Sequence, residues 1–402
     1  MIEKFINQIE KEEAENFAKI EKIALVNQEK VLSAFRENKI SSRHFNPTNG
    51  YGYDDVGRDA LCRLFADIFK AEDAIVSPLI TSGTHALTLA LFGILRPNDT
   101  LLAATGRPYD TLEEVINGEG IGSLRDFGIS YMQCEYTNEI FDYDTIEKVK
   151  PKLIIVQRSK GYAWQNALSI EKIAVFCAKI KEISPDSIIM MDNCYGEFVE
   201  TKEPIEAGAD IVVGSMTKNP GGGLAPTGGY IAGKKQLIEQ IGRRLTAPSL
   251  GMEVGSYFSS YLPFYQGIFL APSVVSSAVK GCYLASKVFS HLGYETLPSN
   301  GLPGDIICAI KFNTEKELIS FCRSVQKISP IDSHVTPYPW DMPGYSHQVI
   351  MAAGTFVQGA TLELSADAPI KPPYIGYMQG GLTYQHAKLA LIQILKDMNI
   401  NI

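Results

Sequence analysis

The stretch Asp210–Lys234 reads DIVVGSMTKNPGGGLAPTGGYIAGK. It opens on the apolar run Ile211–Val213 and closes on a second, Tyr230–Ala232. Between them stand two hydroxyl residues, Ser215 and Thr217, then Lys218 and three consecutive glycines. Continuous β-branched runs read as strands buried on both faces. The glycines stop a helix from propagating after Lys218 and let another backbone come close. Lys218 therefore follows a buried strand, at the kind of edge where ligands of such sheets collect. The residues leave two readings for it: a solvated charge beside a turn, or a lysine that holds a cofactor.

Outward from this stretch, the same kind of run recurs. AIVSPLI begins at Ala74, LLAATG at Leu101, SYMQCEY at Ser130, LIIVQRS at Leu153 and SIIMMDN at Ser187, before DIVVGSM and GGYIAGK. Helical patterns such as HALTLALFGIL and SIEKIAVFCAKIKEI lie between them. Alternation of this type predicts an α/β fold with a mainly parallel seven-stranded sheet and helices on both faces. Ahead of it, Phe5, Ile6, Ile9, Phe17, Ile20 and Ile23 recur at helical spacing, and SSRHFNPTNGYGYDDVGRD reads as a loop. YQGIFLAPSVVSSAVKGCYLASKVFSHL predicts a long helix or a helix pair. Beyond it, DIICAIKF and TLELSA read as strands, and TEKELISFCRSVQKI and TYQHAKLALIQILKDM as helices. The organisation expected is a helical segment and arm over 1–50, a large domain over 51–290, and a smaller C-terminal α+β domain over 291–402. The proline-rich TPYPWDMPGYSH reads as an ordered loop.

Over 402 residues the formal charge is −8, and no dense basic cluster offsets it, which argues against a nucleic-acid surface. The first segment is charged throughout and lacks the apolar centre of a signal peptide. No uninterrupted apolar run has the length needed to cross a bilayer, so no membrane role is expected. Seven cysteines are scattered without CxxC pairs, which predicts neither a disulfide framework nor a zinc site. Six dispersed histidines offer no metal set. A reduced, cytoplasmic protein is the expectation.

Polar groups at the strand ends carry the chemistry. Asp192 closes SIIMMD, and a carboxylate there is costly unless something positive meets it. The ring nitrogen of pyridoxal 5'-phosphate (PLP) is such a partner, and Asp192 would keep it protonated. Lys218 is placed to form a Schiff base with the aldehyde of that cofactor. Ser215 and Thr217 would offer hydroxyls to its phosphate. Ser82, Gly83 and Thr84 form a turn into a helix, whose free amides suit an anion. Tyr109, after another strand, would stack on a flat ring. Each residue also has a plainer reading, as helix cap, turn residue, packing group or surface charge. His85 and His334 are open between substrate contact and simple packing or capping.

The order of phosphate turn, aromatic, Asp and Ser-x-Thr-Lys resembles that of the fold-type-I PLP enzymes, and within them the cystathionine/methionine lyase group. More narrowly, GYGYDDVGRD, MDNCYGEF, KNPGGGLAPTGGYIAG and MQGGLTY are similar to the aluminium resistance or methionine gamma-lyase-like branch. These segments run from Tyr51 to Tyr384. The resemblance implies a carbon–sulfur lyase on sulfur amino acids, giving keto acid, ammonia and thiol, with Lys218, Tyr109 and Asp192 as catalytic residues. It also implies a homodimer or homotetramer with shared active sites, in which Tyr51, Tyr53 and Arg58 reach a neighbour's cofactor.

The chain departs from the lyase group in two places. That group grips the substrate carboxylate with a small-domain arginine, but after Arg244 this chain has only Arg323, on an ordinary amphipathic helix pattern. Lys371 stands where the arginine is expected and cannot make its planar two-bond fork, so Arg158 is the alternative substrate anchor. Cys194 takes the position two after Asp192 where the group often has threonine, either facing the cofactor or packed. Other functions remain open: transamination, retro-aldol cleavage, or PLP binding with little catalysis. A nucleotide-binding module fits poorly, because GxxxxGK[ST] is absent and Lys218 precedes the glycines.

Overall fold

The computed structural model describes residues 1–136, 139–342 and 347–400. The proline-rich segment expected to be an ordered loop lies partly outside them, at 343–346. Each apolar run of the N-terminal two-thirds becomes one strand. These are β1 (Asp73–Ser77), β2 (Thr100–Ala103), β3 (Ser130–Gln133), β4 (Leu153–Gln157), β5 (Ile188–Asp192), β6 (Ile211–Ser215) and β7 (Gly229–Gly233). They form one sheet in the order β1-β7-β6-β5-β4-β2-β3. All neighbours from β6 to β3 are parallel, and β7 alone runs against both of its neighbours. Successive side chains of a strand point to opposite faces. Leu153, Ile155, Ile211 and Val213 thus join one apolar core with the helices Gly83–Ile94 and Lys235–Leu245. Ile154, Val156 and Val212 join another with the helices Val56–Phe69 and Ile170–Ile183. Two covered faces explain why these strands read as continuous apolar runs.

The C-terminal part is a five-stranded antiparallel sheet of β8 (Glu295–Leu297), β9 (Ile307–Phe312), β10 (Val349–Ala352), β11 (Ser365–Pro369) and β12 (Tyr374–Gln379). Its order is β10-β11-β12-β9-β8. The strand expected at TLELSA begins only at Ser365. The Glu363 carboxylate accepts the Phe356 and Val357 amides at 2.9 and 2.8 Å, and the Leu362 amide donates to the Thr217 carbonyl at 3.2 Å. Those bonds hold the preceding residues as a loop and tie it to the Lys218 segment.

Two further elements join the sheets. The helix Ile2–Glu12 buries Ile6 and Ile9 in the core of the small sheet, whereas Ala14–Glu37 buries Ile20, Val31 and Ala34 in that of the large one. The helix Leu262–His291 runs for 30 residues and, contrary to the expectation from apolar runs, is long and apolar enough to cross a membrane. It is a core helix, with 67% of its most apolar window buried inside the protein. The glycine run packs directly on it. Gly222 has φ of +55°, and a Cβ there would lie 2.2 Å from the Gly267 carbonyl oxygen. That contact accounts for the glycine, which lies beside the site and not in it.

Candidate active site

A cavity of about 320 Å³ opens beyond the carboxyl ends of β4, β5 and β6 and is closed on the far side by the small sheet. Nine of the expected residues line it: Ser82, Gly83, Thr84, Tyr109, Asp192, Cys194, Ser215, Thr217 and Lys218. They come from separate segments, brought together because each follows a strand of one sheet or opens the helix behind it.

The anion turn begins at Ser82, whose Oγ accepts the His85 amide at 3.1 Å and caps the helix. The first amides of such a helix have no intrahelical acceptor. A Cβ on Gly83 would lie 3.5 Å from Cys194 Sγ and from Ser215 Cβ, so the turn abuts the ends of β5 and β6. Ser215 Oγ and Thr217 Oγ1 share a hydrogen bond of 2.9 Å on the same side. The Thr84 and Thr111 hydroxyls meet at 2.6 Å.

Asp192, the last residue of β5, is buried, and its Oδ1 accepts the Cys194 amide at 3.1 Å. The Lys218 amine sits 4.4 Å from the centroid of the Tyr195 ring, a cation–π contact. Burial works to lower the pKa of that amine, but the acidic groups of Cys194, Tyr195, Asp192 and Tyr109 outweigh it and push the amine up. Tyr195 holds φ of +70°, a left-handed conformation unusual for an aromatic residue. That strain, of order 1–3 kcal/mol, sets its ring under the amine.

A polar layer supports the floor. Tyr230 donates to Glu197 Oε1 at 2.7 Å, and Asn219 Nδ2 donates to the Glu197 carbonyl at 2.9 Å. Burial pushes the Glu197 carboxyl up to about 8. Across the cavity stands Asp367 of β11, also pushed up by burial, to about 6, against the opposing effect of a hydrogen bond from Tyr162.

Two expected substrate anchors are corrected. Arg158 is fully buried and does not line the cavity. Its guanidinium donates to Asn193 Oδ1 at 2.9 Å and pairs with Glu200 and Glu203 at 3.2 and 3.5 Å. Gln157 lines the cavity, and alternation turns the next side chain away from it. Lys371 is exposed just after β11 and also lies outside the lining. Tyr51, Tyr53 and Arg58 do not line this chain's own cavity. The two tyrosines are 68% and 59% exposed and stack on each other at 5.7 Å. Arg58 is held within its own chain by Asp59 and the Gly52 carbonyl. His85 accepts the Thr81 amide at 3.2 Å, and His334 lines a separate groove. Sequence reasoning passed over Tyr195, Tyr162, Asp367, Tyr377 and Gln379, all of which line the cavity. One signal for Asp367 was available: an acid set between alanines in SADAP.

Comparison with known proteins bears on the family and the fold. A family model described as methionine gamma-lyase matches residues 2–399. The uncharacterized protein YnbB of Bacillus subtilis (strain 168) is 48% identical over 99% of this chain and 96% of its own. A solved structure from Clostridium novyi NT, described as a carbon-sulfur lyase involved in aluminum resistance, is 46% identical and superposes with a TM-score of 0.93. That match covers 98% of this chain and 95% of the other. At 14% identity, the PLP-dependent protein YhfS of Escherichia coli shares the fold alone, with a TM-score of 0.63 over 94% of this chain and 96% of its own. The architecture is that of the fold-type-I PLP enzymes, and the chain belongs to the methionine gamma-lyase family.

Proposed function

We propose that the protein is a PLP-dependent carbon–sulfur lyase of the cystathionine beta-lyase or methionine gamma-lyase kind, acting on sulfur amino acids. The observation that carries this reading is the convergence of the Lys218 amine, the Asp192 carboxylate and the Gly83–Thr84 turn on one cavity. The donor set fits PLP. The first-turn amides and the hydroxyls of Ser82, Ser215 and Thr217 suit its phosphate, Asp192 a protonated ring nitrogen, Tyr109 a flat ring, and Lys218 the aldehyde carbon. When bound, PLP supplies an electron sink beside Cα of the amino acid.

The chain's own groups do the rest. Lys218 would take the Cα proton on Nζ. With Asp192 engaged by a ring nitrogen, one of the acidic groups that push the Lys218 amine up would be spent, and burial would work to lower the amine toward a working base. Tyr109 assists proton movement at the same face. The bond from sulfur to Cβ breaks, the sulfur keeps the electron pair and takes a proton, and one water completes the release of pyruvate and ammonium. Cleavage at Cγ needs a second proton abstraction and yields 2-oxobutyrate.

We also propose a homodimer or homotetramer with shared sites. Tyr51 and Tyr53 present their rings outward for a neighbour's cavity, on a loop that Arg58 braces through Gly52. Sedimentation of the purified protein tests this, and a monomer would overturn it. The seven cysteines, all free and buried, support a reducing cytoplasmic setting. The test of the central reading is borohydride reduction of PLP-loaded protein, peptide mass mapping, and keto acid assays with cystathionine, methionine and cysteine. A pyridoxyl group on Lys218 with keto acid release is expected; an unmodified Lys218 in loaded protein would refute it.

A further inference from the structure

The groups assigned to cofactor and catalysis all stand on the large-sheet wall. Among the described residues, the small-sheet wall carries a single charged side chain, Asp367. It lies on β11, where Ala366 and Ala368 enter the apolar core on one side and Asp367 faces the other. Asp367 is only 6% exposed. Its Oδ2 accepts the Tyr162 hydroxyl at 3.0 Å. Tyr162 is itself anchored, because the Tyr377 hydroxyl donates to its carbonyl at 2.6 Å and the two rings meet edge to face at 5.2 Å. Oδ1 of Asp367 is buried without a hydrogen-bond partner. Such an acceptor costs about 1–3 kcal/mol unless a ligand completes it. The complement of a rigidly held, half-satisfied carboxylate is a cationic donor.

The substrate end that meets it is fixed by the Lys218 amine, which marks the reacting amino group. Lys218 stands on the large-sheet wall and Asp367 on the small-sheet wall across the cavity from it, where the far end of a substrate side chain arrives. Among the described residues Lys218 is the only cation in the lining, so this chain's own wall offers a distal carboxylate no partner. A plain alkyl end would leave Oδ1 empty. An ammonium satisfies the wall.

Building on the carbon–sulfur lyase reading, we infer that Asp367 is a specificity-determining residue that binds a distal ammonium, and that the substrate is an S-aminoalkyl amino acid. Cleavage of the Cβ–S bond then releases an aminothiol, with pyruvate and ammonium as the other products. Tyr162 is a positioning residue that sets the carboxylate.

The test uses a matched pair on PLP-loaded protein: S-(2-aminoethyl)-L-cysteine and S-propyl-L-cysteine, which differ only by a terminal ammonium or methyl. Wild type should favour the amine in kcat/KM by about 10- to 100-fold. Asp367→Asn should abolish the preference, and a far-UV circular dichroism spectrum that matches wild type shows that the variant folds. Tyr162→Phe should reduce the preference in part. Calorimetric binding of L-lysine against L-2-aminoheptanoate gives the same comparison without a leaving group. Loss of keto acid release from both cysteine derivatives, with the lysine preference intact and dependent on Asp367, would sink the lyase reading and keep this assignment. Equal treatment of both members of each pair, or a preference that survives Asp367→Asn, would overturn it.

Discussion

The two walls of the cavity solve opposite problems. The large-sheet wall carries charges of both signs: the Lys218 amine has Asp192 among its acidic neighbours, and beneath them Glu197 is tied to Tyr230 by one oxygen, its other oxygen unpartnered. The small-sheet wall carries a carboxylate with no cation beside it in the described lining, one oxygen paired to Tyr162 and the other unpartnered. A wall of mixed charge suits a resident group held in one geometry, whereas a lone carboxylate suits a cationic group that comes and goes. Reaction and selection are thus assigned to different sheets, and a substitution in one should leave the task of the other largely intact.

Removing the amine is the strongest way to break that division. Lys218→Ala should lower keto acid release at least ~10²–10⁴-fold for every substrate, with no change in relative preference. A variant that kept turnover but lost discrimination would reverse the roles of the two walls.

The next effect in size concerns the footing of the reacting wall. Gly222→Ala forces a Cβ to 2.2 Å from the Gly267 carbonyl oxygen, at φ of +55°. A loss of about 1–3 kcal/mol is expected, read as a drop in thermal midpoint. Unchanged stability would show that the Lys218 loop does not depend on its seat against the long helix.

Smaller again is a pH effect on the selecting wall. Asp367 is pushed up to about 6, with the Tyr162 hydroxyl on Oδ2 and the Cys322 thiol and Tyr195 ring nearby. Its charge is present above that pH and lost below it. The preference for L-lysine over L-2-aminoheptanoate should fall about tenfold from pH 7 to pH 5 in wild type and stay flat in Asp367→Asn. A flat wild-type profile would show that the carboxylate does not meet the ammonium.

The smallest expected change lies under the reacting wall. The folded pKa of Glu197, about 8, stands above its usual 4.5. Its neutral form therefore favours the folded state fully below about 4.5, and the advantage is lost as pH rises through about 8. Glu197→Gln cannot ionise, so its thermal midpoint should decline less than that of wild type between pH 6 and pH 9. Each kcal/mol retained is worth about 2–4 °C. Parallel melting curves would remove the neutral acid from the account.

The reacting wall was legible because parallel strands deliver their ligand groups straight after apolar runs. Asp192 ends one such run and Lys218 follows another, so their chemistry could be read in order. Arg158 shows the limit of that rule: it too follows a strand, but its side chain turns into the core to meet Glu203. The selecting wall was not legible. Asp367 sits in a short strand of small residues, and its burial depends on Tyr162, 205 positions away in the chain. The glycines after Lys218 announced a close approach, but not that the partner was the helix through Gly267.

By itself the amino-acid order determined the alternation of strands and helices, the seven-stranded sheet and the succession of turn, aromatic ring, acid and lysine along its edge. These are local properties, set by side-chain period and by the residues that end each apolar run. Only the tertiary structure decided which carboxylate stands on the opposite wall of the cavity, which arginine is spent inside the core, and which oxygen of that carboxylate is left without a partner. Those outcomes depend on the docking of two sheets, where distance and water exclusion, and not sequence spacing, fix the cost of every charge.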